Sequence, residues 1–327
     1  MTTRLQDLLG LRCPICQAPT GSIAGPELAA AVSGAGALGA MALTWASPEI
    51  AAEQVRLVRQ ATDAPFQVNY ALYKPPVSLA AALEAGAPVV TFSWGDPAPF
   101  VDRVGAAGAQ FGIQVASAAG ARRARDLGAD FLICQGIEAG GHVQSTTPLE
   151  DLLPRVLDVA NGLPVIASGG IGDGAGIAKA LALGADGAML GTRFVATRES
   201  RAHPAYKERL TQATTGETAL TVCFDGSWPY AAHRVLRNET LEGWEASGCP
   251  PAGQRPGEGE TVGQTASGEP ILRYDDTAPR QGMGGDVLDM ALYAGTSSAV
   301  IRDIPGGAAL VARLWEECQR AQARETK

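Results

Sequence analysis

The sequence of 327 residues predicts an α/β fold, a closed (β/α)8 TIM barrel with an α-helical lid inserted after strand eight. Three observations lead there. Short apolar runs rich in β-branched residues alternate with Ala-rich helical stretches over the first 195 positions. There are eight such runs, spaced by about 20 to 34 residues, enough for one strand, one helix and two loops. Several helical stretches also close on a Gly-Ala pair just before the next run, at Gly86-Ala87, Gly108-Ala109, Gly128-Ala129 and Gly184-Ala185. Glycine there permits the left-handed conformation that ends a helix. An open doubly wound sheet would show about five or six such steps.

In chain order, the expected strands are residues 11–16, 37–43, 65–69, 88–93, 110–115, 130–135, 164–168 and 186–190. The run Phe131-Leu132-Ile133-Cys134 is apolar without alternation, as in a parallel strand covered on both faces. The expected helices are residues 26–33, 48–61, 77–84, 98–106, 118–127, 149–160 and 174–183. Pro26 and Pro48 suit a first helical turn, where a missing N–H costs nothing, and Ser47 is a suitable N-cap. A helix from 308 to about 323 closes the chain. After Phe194 the sequence becomes more polar, and residues 195–245 read as helical. Residues 247–270 are rich in Gly and Pro and read as a long surface loop or cover. The expected organisation is a barrel of residues 1–194 plus 293–327, with 195–292 as a lid over its C-terminal mouth.

Composition narrows the function. The chain is 46% hydrophobic and 18% charged, which suits a packed core and excludes disorder. A formal charge of −8 without a basic block argues against nucleic acid and anionic membrane as partners. No apolar stretch approaches the roughly 20 residues of a membrane span. The N-terminus, MTTRLQDLLG, lacks the apolar core of a secretory signal, and six Cys are sparse for a disulfide scaffold, so a cytoplasmic location with reduced thiols is expected. Cys13 and Cys16 fall inside an apolar strand. No second Cys/His pair lies near to complete a zinc site, so they read as core, as does Cys134, and no metal is expected.

The strongest chemical signal is Ser168-Gly169-Gly170-Ile171-Gly172-Asp173-Gly174, after the seventh strand, together with Gly191-Thr192-Arg193 after the eighth. Glycines let backbone N–H groups approach a ligand, and a helix N-terminus adds unpaired donors. The loops after these two strands of a barrel are a frequent phosphate site. Gly169, Gly170, Gly191 and Thr192 are therefore candidates for holding a phosphate; the alternative is that they only make tight turns. Gly34-Ala35-Gly36-Ala37-Leu38-Gly39 fits G-x-G-x-x-G, but it closes a helix instead of opening one, the wrong order for a dinucleotide site. The loop after the sixth strand, Gln135-Gly136-Ile137-Glu138-Ala139-Gly140-Gly141-His142, has small residues that leave room for a flat ligand. His142 could act there as a base near neutral pH. His203 and His233 read as solvated, and Arg193 as an ion-pair or phosphate partner.

The stretches QAPTGSIAGPELAAAV, FQVNY, QGIEAGGH and PVIASGGIGDGAGIAKALALGADGAMLGTRF resemble the nitronate monooxygenase (2-nitropropane dioxygenase) family. The resemblance extends to Arg234–Asn238 and Leu292–Ser297, and so covers most of the chain outside 247–270. It implies a (β/α)8 barrel with a helical lid and non-covalent FMN. By position, Gly169, Gly170, Gly191 and Thr192 would hold the FMN phosphate, with Ser168 nearby. Ala18, Pro19 and Thr20 would line the flavin, and Asn69 and Gln135 would hydrogen-bond it. Gln114 stands where many relatives place a Lys facing the flavin, which removes a positive charge. Gly140 and Gly141 would let the ring system lie close, His142 matches the family's base, and Tyr293 and Ser297 would reach the substrate. Departures lie on the substrate side: Thr20 replaces the usual Met, Cys13 and Cys16 replace aliphatic residues, and Trp228–His233 enlarge the lid. The implied reaction is FMN-dependent oxidation of small alkyl nitronates or nitroalkanes by O2. The alternative on the same barrel is NAD(P)H-dependent reduction of a quinone or enoyl thioester. A barrel without flavin, holding a sugar phosphate, is a third reading.

Overall fold

A computed structural model describes residues 2–325. Residues 1, 326 and 327, included in the expected barrel spans, lie outside the described residues. The elements run α1 (Arg4–Leu9), β1 (Ile15–Gln17), α2 (Pro26–Gly34), β2 (Gly39–Ala42), α3 (Pro48–Ala61), β3 (Phe66–Ala71), α4 (Leu79–Glu84), β4 (Val89–Ser93), α5 (Val101–Ala106), β5 (Gln110–Val115), α6 (Ala118–Asp126) and β6 (Phe131–Gln135). They continue β7 (Gly141–His142), α7 (Leu149–Ala160), β8 (Val165–Ser168), α8 (Gly174–Ala182), β9 (Gly187–Leu190), α9 (Thr192–Val195), α10 (Pro204–Gln212), β10 (Thr218–Thr221), β11 (His233–Leu236) and α11 (Glu239–Ala246). The last are β12 (Thr261–Gln264), β13 (Pro270–Leu272), β14 (Gly284–Gly285) and α12 (Gly307–Glu325).

Eight parallel strands form one sheet in the order β1-β9-β8-β6-β5-β4-β3-β2. A parallel bridge from Cys16 to Leu38 joins its two edges, with the Leu38 N–H donating to the Ile15 carbonyl at 2.9 Å. The sheet is therefore a barrel, as the eight βα steps predict. Gly86, Gly108, Gly128 and Gly184 all adopt positive φ, between 69° and 99°, which confirms the helix-ending role of the Gly-Ala refrain. The strand expected at 11–16 starts late, at Ile15, because Pro14 has no N–H to give to a ladder. The helix expected at 98–106 likewise starts at Val101, after the turn that follows Pro97 and Pro99.

One element escaped the sequence reading. Thr3 caps α1: its side chain accepts from the Gln6 N–H while the Gln6 side chain accepts from the Thr3 N–H. That reciprocal pattern was legible in Thr-x-x-Gln. Leu5 and Leu9 of α1 pack with Cys16, Leu38, Val89, Phe131, Ile133, Ile166 and Met189 from the strands, a cluster separate from the one beneath the outer helices. Arg4 anchors the helix to Asp186 at 2.7 Å.

Residues 195–292 are not all-helical, contrary to expectation. They hold α10 and α11 and also two small sheets. In one, β11 pairs with β10 and with β7, the strand that carries His142. In the other, β12 lies between β13 and β14, so the Gly/Pro-rich stretch is looped only up to about residue 260. The sequences Thr-Ala-Leu-Thr and His-Arg-Val-Leu carry β-branched residues that find a partner edge only after the chain folds back. Residue 293 is no clean boundary either, since Tyr293 bridges Val235 of β11. Among the described residues no helix is long and apolar enough to cross a membrane.

Candidate functional site

The C-terminal ends of the barrel strands open into one cavity of about 540 Å³. The residues assigned from the sequence to the flavin, the base and the substrate all line it. Ala18, Pro19 and Thr20 enter after β1, Asn69 from β3, Gln114 from β5 and Gln135 from β6. Gly140, Gly141 and His142 come from the loop after β6. Ser168, Gly169 and Gly170 follow from β8, and Gly191 and Thr192 come after β9. Tyr293 and Ser297 approach from the returning segment.

The glycines have distinct reasons to be there. Gly169 and Gly170 adopt φ of 113° and 71°, in the region that disfavours residues with a Cβ. A Cβ at Gly140 would lie 2.3 Å from the Gly295 nitrogen and 2.6 Å from the Ala294 carbonyl carbon. Its missing side chain thus lets two loop backbones touch. Thr192 spends its hydroxyl on the Gly295 N–H at 2.9 Å, joining the β9 end to the same loop. Gly36 and Gly39 of the G-x-G-x-x-G match only pack the barrel: a Cβ at Gly39 would meet the Ala29 carbonyl at 2.1 Å.

Polar side chains on the floor are already oriented. The Asn69 amide donates to the Thr91 carbonyl at 3.2 Å and hydroxyl at 3.1 Å. Gln114 donates to Gln144 at 2.8 Å, and the Gln144 N–H donates to Gln135 at 3.0 Å. Gln144, absent from the sequence reading, therefore ties together the amides of β5 and β6. Three groups on residues lining the cavity stay unsatisfied: the hydroxyl of Thr20, Nε2 of His142 and Nε of Arg280 are buried without a hydrogen-bond partner among the described residues.

His142 is held by its backbone. It sits in β7 opposite His233 of β11, and the Val143 N–H donates to Ala232. Arg234 clasps the Ile137 carbonyl at 2.9 Å. Aromatic rings surround the imidazole. Trp228 stacks on it at 4.3 Å and 24°, and Trp94 meets it edge-on at 6.1 Å. Tyr293 lies 5.6 Å away. Trp228 also stacks on Tyr73 at 3.7 Å, and the Trp45 indole N–H donates to the Tyr73 hydroxyl at 2.9 Å. This burial, with His233 as the second cause, pushes His142 down to about 3, so its imidazole is neutral at neutral pH.

One expectation needs correction, and other singled-out residues find their partners. His233 is fully buried, not solvated: the turn of β11 carries it inward, where Nε2 accepts from the Phe224 N–H at 3.2 Å and Nδ1 donates to Ala231 at 2.9 Å. His203 is a helix cap, accepting from the Ala205 N–H. Arg193 is buried and bonded to Asp303 at 3.0 Å, so it anchors α9 to the segment before α12. The Tyr293 hydroxyl is committed to the Asp276 carbonyl at 2.9 Å, leaving its ring as the surface it offers the cavity. Cys13, Cys16 and Cys134 are buried and free, as expected of core residues. Burial pushes the Cys13 thiol up to about 11, too high for a reactive thiolate. Among the described residues no cluster of His, Cys, Asp or Glu could hold a metal.

The sequence reading missed Trp45, Trp94, Asp276 and Arg280, which also line the cavity. Trp94 had a local signal: it precedes Gly95 at a strand end and adopts a φ of 58°, unusual for a bulky residue. Asp276 and Arg280 had none, because only the fold of 195–292 brings them to the mouth. Burial pushes the Asp276 carboxyl up, although the Ser227 hydroxyl donates to it at 2.6 Å.

Comparison with known proteins agrees with this geometry. A family model described as nitronate monooxygenase matches residues 2–80 and 77–317. A nitronate monooxygenase of Pseudomonas aeruginosa is 34% identical, over 97% of this chain and 99% of its own. An octahydro-1H-indene-4-carboxyl-CoA dehydrogenase of Mycobacterium tuberculosis is 36% identical, over 75% of this chain and 69% of its own. Among solved structures, the nitroalkane oxidase of Streptomyces ansochromogenes superposes with a TM-score of 0.81 at 30% identity, over 98% of this chain and 99% of that one. The chain belongs to the nitronate monooxygenase family of flavin-dependent oxidoreductases.

Proposed function

We propose that the protein oxidises small alkyl nitronates, and nitroalkanes after deprotonation, with bound FMN and O2, and that His142 is the base. The observation that carries this reading is the buried, unpartnered Nε2 of His142 facing the cavity that the cradle glycines also line.

The residues fit FMN. Gly169 and Gly170 hold left-handed backbone that side chains would strain. The buried Thr20 hydroxyl lacks a partner that a ligand would supply. Gly169, Gly170, Gly191 and Thr192 would hold the phosphate, with Ser168 beside them. Ala18, Pro19, Thr20, Asn69, Gln114, Gln135 and Gly141 would line the ring system. When bound, the flavin supplies the acceptor for the substrate's electrons and their route to O2.

The chain's own part is binding, proton transfer and water exclusion. Neutral His142 can take the α-proton of a nitroalkane at Nε2. The imidazolium so formed faces a nitronate anion, and that opposite charge offsets the desolvation that otherwise keeps His142 neutral. The hydrogen bonds of β7 to β11 fix the ring's position. Trp228 covers one face of the imidazole, so residues 195–292 act as a lid that limits water at the reacting carbon, with Tyr293 of the returning segment packed beside it.

The M. tuberculosis relative, a dehydrogenase of a CoA thioester, favours a second reading: NAD(P)H-dependent reduction of an enoyl thioester or quinone. Anaerobic mixing separates the two. Loss of the oxidised flavin's visible absorbance with a nitronate but not with NADH is expected. Bleaching by NADH alone would favour the reductase, and a protein that takes up no FMN would overturn both.

A further inference from the structure

A histidine base is usually oriented by a hydrogen bond to its second ring nitrogen. The His142 ring makes none among the described residues, so the rings packed around it set its plane. His233 is unlike the other rings. It lies directly opposite His142 in the β7–β11 pairing, which puts both side chains on one face of the ribbon, with the rings 5.4 Å apart at 59°. It is fully buried, and both of its nitrogens are committed. Nε2 accepts from the Phe224 N–H at 3.2 Å, and a backbone N–H can only donate. The ring proton therefore sits on Nδ1, 2.9 Å from the Ala231 carbonyl that accepts it. A second proton on Nε2 would face the Phe224 donor and strip that buried N–H of its acceptor. Asp225 pulls the other way, but its carboxylate is held by Arg255 at 2.7 Å, and burial outweighs it, leaving the His233 pKa lowered. Tyr293 crosses the His233 ring edge-on at 5.9 Å, and burial keeps its phenol protonated.

We propose that His233 is a positioning residue for the base: an imidazole locked uncharged in its Nδ1–H form, which fixes the plane of the His142 ring and bars a second positive charge from its side. The proposal rests on the reading of His142 as the base. When His142 takes the α-proton, the imidazolium so formed pairs with the substrate's new negative charge, and the ring 5.4 Å away adds no repulsion. A protonated His233 at that distance would oppose the transfer and weaken the base. A flexible side chain in its place would let the imidazole turn, and a base turned from the α-carbon loses its reach.

Two measurements test this. The first is NMR of the flavin-loaded protein with 15N-labelled histidine, in which the chain's three His give a spectrum simple enough to assign. His233 is expected to keep the neutral Nδ1–H pattern from about pH 8 down to about pH 5.5, across the range where a free imidazole gains its proton. Protonation within that range, or an Nε2–H pattern, would overturn the proposal. The second is kinetic. His233→Gln keeps an uncharged acceptor within reach of the Phe224 N–H but removes the rigid ring. It should lower kcat for a neutral nitroalkane about tenfold and leave oxidation of a preformed nitronate unchanged. In a His142→Ala background the same substitution should cause no further loss, because His233 acts only through His142. Equal losses on both substrate forms, or a further tenfold loss without His142, would reduce His233 to a structural residue and overturn the assignment. The spectrum is recorded on the wild type without substrate, so it judges the lock even if His233→Gln fails to fold. It also separates failure of the lock from failure of the oxidation reading.

Discussion

His142 carries the chemistry proposed here, and its surroundings set two expectations. Replacing it by Ala should lower turnover of neutral nitroalkanes by about 10² to 10⁴, the range for loss of a positioned base. Oxidation of a preformed nitronate should suffer far less, because its proton is already gone. Steady-state kinetics on both substrate forms decide this, and equal losses would remove His142 from the role of base. The second expectation concerns pH. His142 and His233 are held below the usual imidazole range, chiefly by burial, while in the unfolded chain they titrate near about 6.5. Between those values the unfolded chain binds more protons. The stability they contribute is therefore complete above about pH 6.5 and drains away as pH falls toward about 3 for His142. Thermal melts from about pH 7 to about pH 5 should show Tm falling in the wild type and falling less steeply in His142→Ala. Parallel slopes would mean that His142 titrates normally in the folded state.

At the scale of elements, the site depends on contacts between loops. Gly140 shows this best, because a Cβ there would collide with the backbone of Ala294 and Gly295, which no rotamer change can relieve. Gly140→Ala should cost about 1–3 kcal/mol, seen as a lower midpoint in denaturant. An unchanged midpoint would show that the 294–296 segment yields freely. The Trp228 strap makes the complementary case. It lies between Tyr73, from a barrel loop, and His142. Trp228→Ala should expose the imidazole, weaken its desolvation and move its titration up toward about 6.5. A pH profile of kcat/KM for a neutral nitroalkane should then gain an acidic limb at higher pH than in the wild type, and an unmoved limb would mean that burial comes from elsewhere. The same scale explains the uneven legibility of the sequence. Gln110–Val115, Pro48–Ala61 and Leu149–Ala160 were readable to the residue because local pattern, caps and covering layer agree there. β10 and β11 were not, since strand-forming residues declare themselves only when an edge is at hand.

For the whole molecule, the barrel brings together at one mouth residues from 18 to 297. Parallel strands make this unavoidable, since every strand's C-terminal end faces the same side. A ligand seated across those ends links most of the strands, so it should stabilise the fold as a unit. Adding FMN to the flavin-free protein should raise Tm, by about 2.7 kcal/mol of stabilisation at 100 times Kd. Calorimetry at increasing FMN checks this, and a Tm indifferent to FMN would contradict the proposed cofactor site.

The barrel, its glycine-rich phosphate candidates and His142 could be read from residue order because each depends on short-range pattern: apolar runs at regular spacing, and glycines at strand ends. The partners that give the site its properties could not. Trp94 and Trp228 flanking the imidazole and the inward turn of His233 each join positions tens of residues apart. Such proximities follow from the closed sheet and from the chain that folds back across its mouth, and no local sequence signal encodes a distance through space.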